Sequence, residues 1–442
     1  MTAAPRARSS SCSGSGWSKP RRPVLGYVDE SGRSRDTSTM PLLKAESQDA
    51  QARTSVRMSE TDAAKIRVTA LSESDAAALR SFYRAVWNSP DTDDAPEERA
   101  ALQEICPFPA GLPPPIIGVY RGERIIGHLG SIPTELWDGL RSVGGHWTKG
   151  LMVLEEFRNG PIGYLLVKEM AKHVSLSAAM VVAPAARRLF EACGFKDLGA
   201  VPNYVTVLQP TRVLQAVDVA KLGLGSLPGP LQVLLRIARW APMAFVAGSL
   251  GSAGLGLLAT ANRLTCLGLR ARLVANPPPA AEIDALWLRL RGQLSLAPSR
   301  GGSYTEWRYA VEHPGRYQFV EVRRQGKLVG LVVVRKPERV DDPRLAGLRV
   351  GLIVDWIVDP VDTGAVTATL LAARKWGKKA GCDAILLTIS HLEVGRLVKR
   401  LGFVRIPGNI HFMLRVPAGL IDAPRGIERS WLMRGDAWSD DI

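Results

Sequence analysis

Three landmarks recur along this 442-residue chain in the same order and at almost the same separation. Gly127 in "ERIIGHLGSIP" answers to Gly330 in "GKLVGLVVV", 203 residues on; Arg158 answers to Thr363 after 205, and Gly194 to Gly402 after 208. Loop insertions produce a drift of that size, so the chain reads as one fold laid down twice. Each half repeats the same run of elements around its landmarks. "PPIIGVYRGERIIGHLGSIP" and "YQFVEVRRQGKLVGLVVV" have the pattern of a hairpin about a Gly-containing turn. After each come an apolar strand ("HWTKGLMVL", "GLIVDWIVDP"), a stretch of helical period ("YLLVKEMAKHV", "VTATLLAARKWGKKAG") and a short strand ("SAAMVV", "DAILLTIS"). A helix closing on Gly-Phe follows ("AARRLFEACGF", "RLVKRLGF").

This order predicts an α/β (α+β) chain of two tandem domains, each a mixed, mostly antiparallel sheet flanked by helices. The expected divisions are a basic, disordered extension over 1–62, a first domain over 63–212, an apolar helical linker over 213–275, a second domain over 276–417 and a tail over 418–442. Met40 and Met58 stand as later starts, and the Ser/Arg-rich opening lacks the apolar core of a secretory signal. No charge falls between Trp240 and Asn262. That length suffices for a span, but the Gly, Ala and Ser content favours a helical hairpin, with peripheral membrane contact through 231–264.

The formal charge of +15 points to an anionic partner. Five scattered cysteines without CxxC pairs argue for a reducing compartment, read as cytoplasmic with a membrane-associated variant. Six isolated histidines offer no metal-ligand spacing, so no metal is expected.

The chemistry concentrates in "VLEEFRNGPIG", where an apolar strand breaks into a Gly-containing turn headed by Arg158 and a helix begins. The first N–H groups of a helix lack internal partners and carry partial positive charge. With an arginine beside them they form an anion cradle. A plain strand-to-helix connection is the competing reading.

Arg158-Asn159-Gly160-Pro161-Ile162-Gly163 after "LMVLEEF", followed by "AARRLFEACGF", resembles the GNAT acyltransferase superfamily. The resemblance covers about 64–210 and, more weakly, 276–416. It implies acetyl-CoA, or another acyl-CoA, as cofactor. Leu151, Met152 and Val153 would offer backbone groups to the pantetheine, and Arg158, Asn159, Gly160, Ile162, Gly163 and Tyr164 would surround the pyrophosphate.

Two departures stand out. Pro161 removes one amide from the cradle while suiting a helix start. Phe190 occupies the place of the family's proton-donating tyrosine, leaving Tyr204 or a water as the acid. His146, which titrates in the right range, is the candidate base, against the reading of a half-buried strand histidine. In the second half Thr363 and Val366 replace the arginine and first glycine. Trp307, Arg308 and Asp355 are the candidate acceptor-binding residues there. Asp355 needs a partner, for which Arg308 and His391 are candidates, and a purely structural ion pair competes.

The leading expectation is an acyl-CoA-dependent N-acyltransferase, an acetyltransferase acting on a small-molecule amine such as a sugar or cell-envelope precursor, with no DNA partner. Two alternatives stand beside it. One is a Fem-type aminoacyl-tRNA-dependent transferase, the only reading in which tRNA is a partner. The other is a non-catalytic module that binds CoA.

Overall fold

The computed structural model describes residues 66–87, 106–108, 115–216, 264–311, 315–339, 347–406 and most of 408–438, with isolated positions between 249 and 262. The extension over 1–62 and most of the uncharged stretch lie outside these. Among the described residues no helix is long and apolar enough to cross a membrane.

β1 (Ile66–Ala70) leads to α1 (Ala76–Trp87), then β2 (Ile117–Arg121), β3 (Arg124–Trp137) and β4 (Ser142–Val153) form a meander. α2 (Ile162–His173), β5 (Ser177–Met180), α3 (Pro184–Ala192), β6 (Lys196–Ala200), β7 (Asn203–Val207) and α4 (Pro210–Ala216) follow. The later half runs β8 (Leu269–Val274), α5 (Ala280–Arg291), β9 (Ala297–Pro298), α6 (Gly302–Glu306), β10 (Tyr317–Arg324), β11 (Lys327–Arg339) and β12 (Arg349–Val358). It ends with α7 (Thr363–Lys379), β13 (Ala384–Thr388), α8 (Leu392–Arg400), β14 (Val404–Ile406) and β15 (His411–Arg415).

One sheet has the order β1-β2-β3-β4-β5-β15-β6, and the other, read from its β8 edge, β8-β10-β11-β12-β13-β7-β14. Along these orders only β4–β5 and β12–β13 are parallel. The class is therefore the expected mixed, mostly antiparallel α/β arrangement with helices on the sheets.

The two orders correspond strand for strand, with one exchange. β15 of the later half lies between β5 and β6, and β7 of the earlier half lies between β13 and β14. The chains cross where the Val201 N–H donates to the Ile410 carbonyl at 2.8 Å. The limits 63–212 and 276–417 thus mark stretches of chain rather than separate sheets.

Gly127 and Gly330 hold equivalent places, and packing explains both. A Cβ on Gly127 would meet Ile162 Cγ2 at 2.7 Å and Leu166 Cδ1 at 3.1 Å, and one on Gly330 would meet Thr369 Cγ2 at 2.5 Å. Lacking a side chain there, β3 and β11 let α2 and α7 lie close. α2 buries Ile162, Leu166, Val167 and Met170 in that contact, each full burial stabilising by roughly 1.5–3 kcal/mol. Gly194 and Gly402, which follow α3 and α8, share φ of +87°, the left-handed backbone that ends a helix without Cβ strain.

The central strands differ. β12 reads "RVGLIVDWIV" and is buried from Val350 to Val358. β4 reads "SVGGHWTKGLMV" and stays half-buried over Leu151–Val153. The segment expected as a tail is core instead: Trp431, Leu432 and Met433 are fully buried.

Candidate functional site

β4 and β5 pair over two positions only, His146 with Ser177 and Trp147 with Ala178. Thr148 Oγ1 adds a bond to the Ala178 carbonyl at 3.2 Å. Beyond that point β4 runs on to Val153 with β3 on one side and no β5 pairing on the other. Apart from the Val153 carbonyl, which accepts from Arg158, the backbone groups on that side have no β5 partner and can serve a ligand that lies along the strand.

α2 begins at the far end of this open edge. Its first internal bond runs from Leu165 N–H to the Pro161 carbonyl, so the amides of Ile162, Gly163 and Tyr164 precede the helical ladder. Pro161 is the N-cap residue, and no side chain caps the helix. Arg158 folds back so that its Nε–H donates to the Val153 carbonyl at 3.2 Å, which holds an exposed guanidinium at the end of β4. A Cβ on Gly163 would lie 2.7 Å from Leu189 Cδ1 of α3, so a larger residue there would push that side chain aside. Gly160 differs from its expected role: its N–H is bonded to the Phe157 carbonyl at 3.2 Å. Asn159 is exposed in the turn, and Tyr164 lies on the first turn of α2 with Lys168 Nζ 5.6 Å from its ring centroid. Leu151, Met152 and Val153 thus lie on the stretch of β4 beyond its β5 pairing, and Arg158, Ile162, Gly163 and Tyr164 in the turn and helix start that follow it.

In the second half the corresponding places are filled. Asp362 caps α7, its carboxylate accepting from Ala365 N–H at 2.9 Å and pairing with Arg324 at 2.8 and 3.0 Å. A carboxylate already sits where an anion would bind. Along β12 the open edge is taken too: Gly435 N–H donates to the Val354 carbonyl at 2.9 Å, and Trp431 Nε1–H to the Trp356 carbonyl at 2.7 Å. The same segment reaches β13's end through the Ile389–Met433 bridge and the Ser390 N–H bond to the Leu432 carbonyl. It lies between the two strands like an inserted ligand. The following turn, Asp436–Trp438, packs against β4 and β5 of the first half.

Several expected residues fall elsewhere. Strand exchange carries Tyr204 into the second sheet, between Leu387 and Arg405. It is buried there, and burial raises its pKa, so it is no acid for the first cleft. Phe190 is core, edge-to-face on Phe195 at 4.9 Å. His146 sits where β4 and β5 still pair, and burial pulls its pKa down to about 4. The ring is neutral at physiological pH and a weaker base than expected.

Trp307, Arg308 and Asp355 are all buried. Asp355 partners neither Arg308 nor His391. Arg300 Nε–H donates to it at 2.7 Å, and Arg300 Nη2 reaches both oxygens of Asp436 at 2.9 Å. Tyr309 Oη–H adds a bond to Asp355 at 3.0 Å. Arg308 Nη1 donates instead to Tyr317 Oη at 3.1 Å. One guanidinium cannot neutralise two carboxylates fully. Burial, then the nearby Asp355, push Asp436 up to about 6 against the pull of Arg300. This cluster anchors the segment that fills the second cleft, and it is enclosed rather than open to an acceptor. Arg300 and Asp436 carried no signal in sequence, being single charges far apart in chain.

No family model and no curated protein matches this chain. Among solved structures it is similar to a GCN5-related N-acetyltransferase from Anabaena variabilis, with a TM-score of 0.49, 14% identity, and coverage of 79% of this chain and 72% of that one. A probable N-acyltransferase from Enterococcus faecalis aligns with a TM-score of 0.49 at 12% identity, over 79% of this chain and 72% of its own. Saccharomyces cerevisiae N-myristoyltransferase with bound myristoyl-CoA also aligns with a TM-score of 0.49, at 13% identity over 83% of this chain and 84% of its own. Similarity at this level says nothing of what this chain acts on.

Proposed function

We propose that this chain is an acyl-CoA-dependent N-acyltransferase with one cofactor site, the β4–β5 cleft, and acetyl-CoA as donor. The contrast between the halves supports the reading: among the described residues, β4 beyond Trp147 has no β5 pairing and the following helix has no side-chain cap, whereas the equivalent places in the second half are occupied by Trp431, Gly435 and Asp362. An open edge ending at an uncapped helix with an arginine suits a ligand that is amide-bearing along its length and diphosphate at its end. Leu151 and Val153 would hold the pantetheine arm, and Arg158 with the amides of Ile162, Gly163 and Tyr164 the pyrophosphate.

The acceptor is a primary amine on a small molecule, such as a sugar or cell-envelope precursor. Its nitrogen attacks the thioester carbonyl, the C–N bond forms, the C–S bond breaks, and CoA leaves as the thiolate. Positioning supplies most of the rate. The amine proton passes to water or to the neutral ring of His146.

Thermal-shift titration with acetyl-CoA tests the site. Wild type is expected to gain several degrees and Arg158→Ala to lose most of that gain, while equal shifts in both would displace the site from the cleft. Phe190 favours one second reading, a module that binds CoA without chemistry, because no phenol stands at that place. Acetyl-CoA-dependent release of free thiol with a panel of amines separates the two.

A further inference from the structure

β4 does not run regularly along β3. His128 pairs with Met152 and Gly130 with Lys149, so Gly150 and Leu151 together face Leu129. This is a bulge, with Gly150 at φ +67°. It falls at the start of the edge that β5 leaves unpaired.

The side chain of His128 holds the bulge. The residue is buried, with Nδ1 3.1 Å from the Gly150 carbonyl oxygen and Nε2 3.1 Å from Tyr83 Oη. A carbonyl only accepts, so Nδ1 carries the proton. In a neutral ring Nε2 then accepts from the Tyr83 hydroxyl. Tyr83, on α1, also stands edge-on to the imidazole, with centroids 5.3 Å apart. A Cβ on Gly130 would make ordinary contact with His128 Cε1 at 3.5 Å and press on the Lys149 carbonyl at 3.3 Å, so this glycine eases the approach of β4 rather than of the ring.

The consequence concerns the next amide. A trans peptide points its C=O and N–H in opposite directions. Drawing the Gly150 oxygen to His128 of β3 turns the Leu151 N–H away from β3, towards the edge that β5 leaves unpaired. We propose that His128 is a positioning residue of the first cleft: held as the Nδ1–H tautomer by Tyr83, it fixes the Gly150–Leu151 peptide so that Leu151 N–H meets the thioester carbonyl of bound acyl-CoA. This rests on the reading of the cleft as an acyl-CoA site, and the test separates the two.

Acetyl-CoA and its thioether analogue S-ethyl-CoA, which lacks the carbonyl, are titrated calorimetrically into wild type, His128→Leu, His128→Asn and Tyr83→Phe. Wild type binds acetyl-CoA about tenfold more tightly, the ratio that one buried hydrogen bond gives. In His128→Leu the ratio falls to about two while S-ethyl-CoA affinity holds, which also shows the variant folded. His128→Asn, whose amide N–H can reach the same carbonyl, restores most of the ratio, and Tyr83→Phe lowers it partly. A full ratio in His128→Leu overturns the proposal. Equal binding of both ligands by wild type overturns it and leaves the site standing, whereas binding of neither removes the site and the proposal together. Ring nitrogen NMR shifts of wild-type His128 give a check independent of the variants: the Nδ1–H tautomer is expected, and the Nε2–H tautomer refutes the clamp.

Discussion

The indole N–H of Trp431 donates to the carbonyl of Trp356 at 2.7 Å. Through that bond the chain occupies, in its second half, the backbone edge equivalent to the one that β5 leaves unpaired in the first. Gly435 completes the occupation, and Asp362 does the same for the helix mouth. A ligand would have to displace protein groups that are already desolvated and satisfied, which costs more than entering an open cleft.

The chain is therefore expected to bind one acyl-CoA. Isothermal titration should give a stoichiometry near one per chain, with Arg158→Ala weakening that single site roughly tenfold or more, as loss of a charge-assisted bond to phosphate does. Two sites of similar affinity would show the second cleft to be accessible.

Gly127 and Gly330 allow a paired experiment. Alanine at either forces its helix outward, from Ile162 at 2.7 Å in one case and from Thr369 at 2.5 Å in the other. Overpacking of this kind costs about 1–3 kcal/mol, and urea midpoints should drop in both variants. Only Gly127→Ala moves α2, whose first amides form the cradle, so only it should also weaken acetyl-CoA binding. Equal loss of affinity in both would mean that the cradle is not at α2.

What the sequence revealed was local in chain. Gly127, Gly330, Gly194 and Gly402 mark contacts or backbone angles set by a few neighbours, and the hairpins and helices follow from periodicity. What it hid was decided across long separations. Nothing in "NYVTV" says whether that strand joins its own sheet or the other, and the exchange is what removed Tyr204 from the first cleft. Asp355 showed that it needed a partner, yet Arg300 is a lone arginine in "APSRGG" and Asp436 a lone acid in "RGDAW". The bulge at Gly150 was equally invisible, since a Gly in a strand does not announce a partner on the next strand.

Arg300 should be among the least replaceable residues. Arg300→Leu leaves Asp355 and Asp436 buried against each other without a cation, and loss of one partner from such a cluster typically costs 3–5 kcal/mol. The predicted outcome is a large fall in the denaturation midpoint and release of the 427–438 segment, seen as raised hydrogen exchange at Met433 and Gly435. An unchanged exchange pattern there would show that the apolar contacts of Trp431 and Leu432 alone hold the segment.

The pH dependence of stability should carry a signature of His146. Its folded pKa lies near 4, below the ordinary value of 6.5, because burial disfavours the charged ring. The neutral form is the one that the fold accommodates. The stabilisation is therefore complete above pH 6.5 and is lost as pH falls from 6.5 towards 4. Over that window wild type should lose up to about 3 kcal/mol relative to His146→Gln, which has no proton to gain. Urea midpoints of both proteins at pH 7, 5.5 and 4 measure the difference directly. Parallel curves would mean that the ring meets water freely, and a rate profile with a step near pH 6.5 that vanishes in His146→Gln would restore this histidine as an ordinary general base.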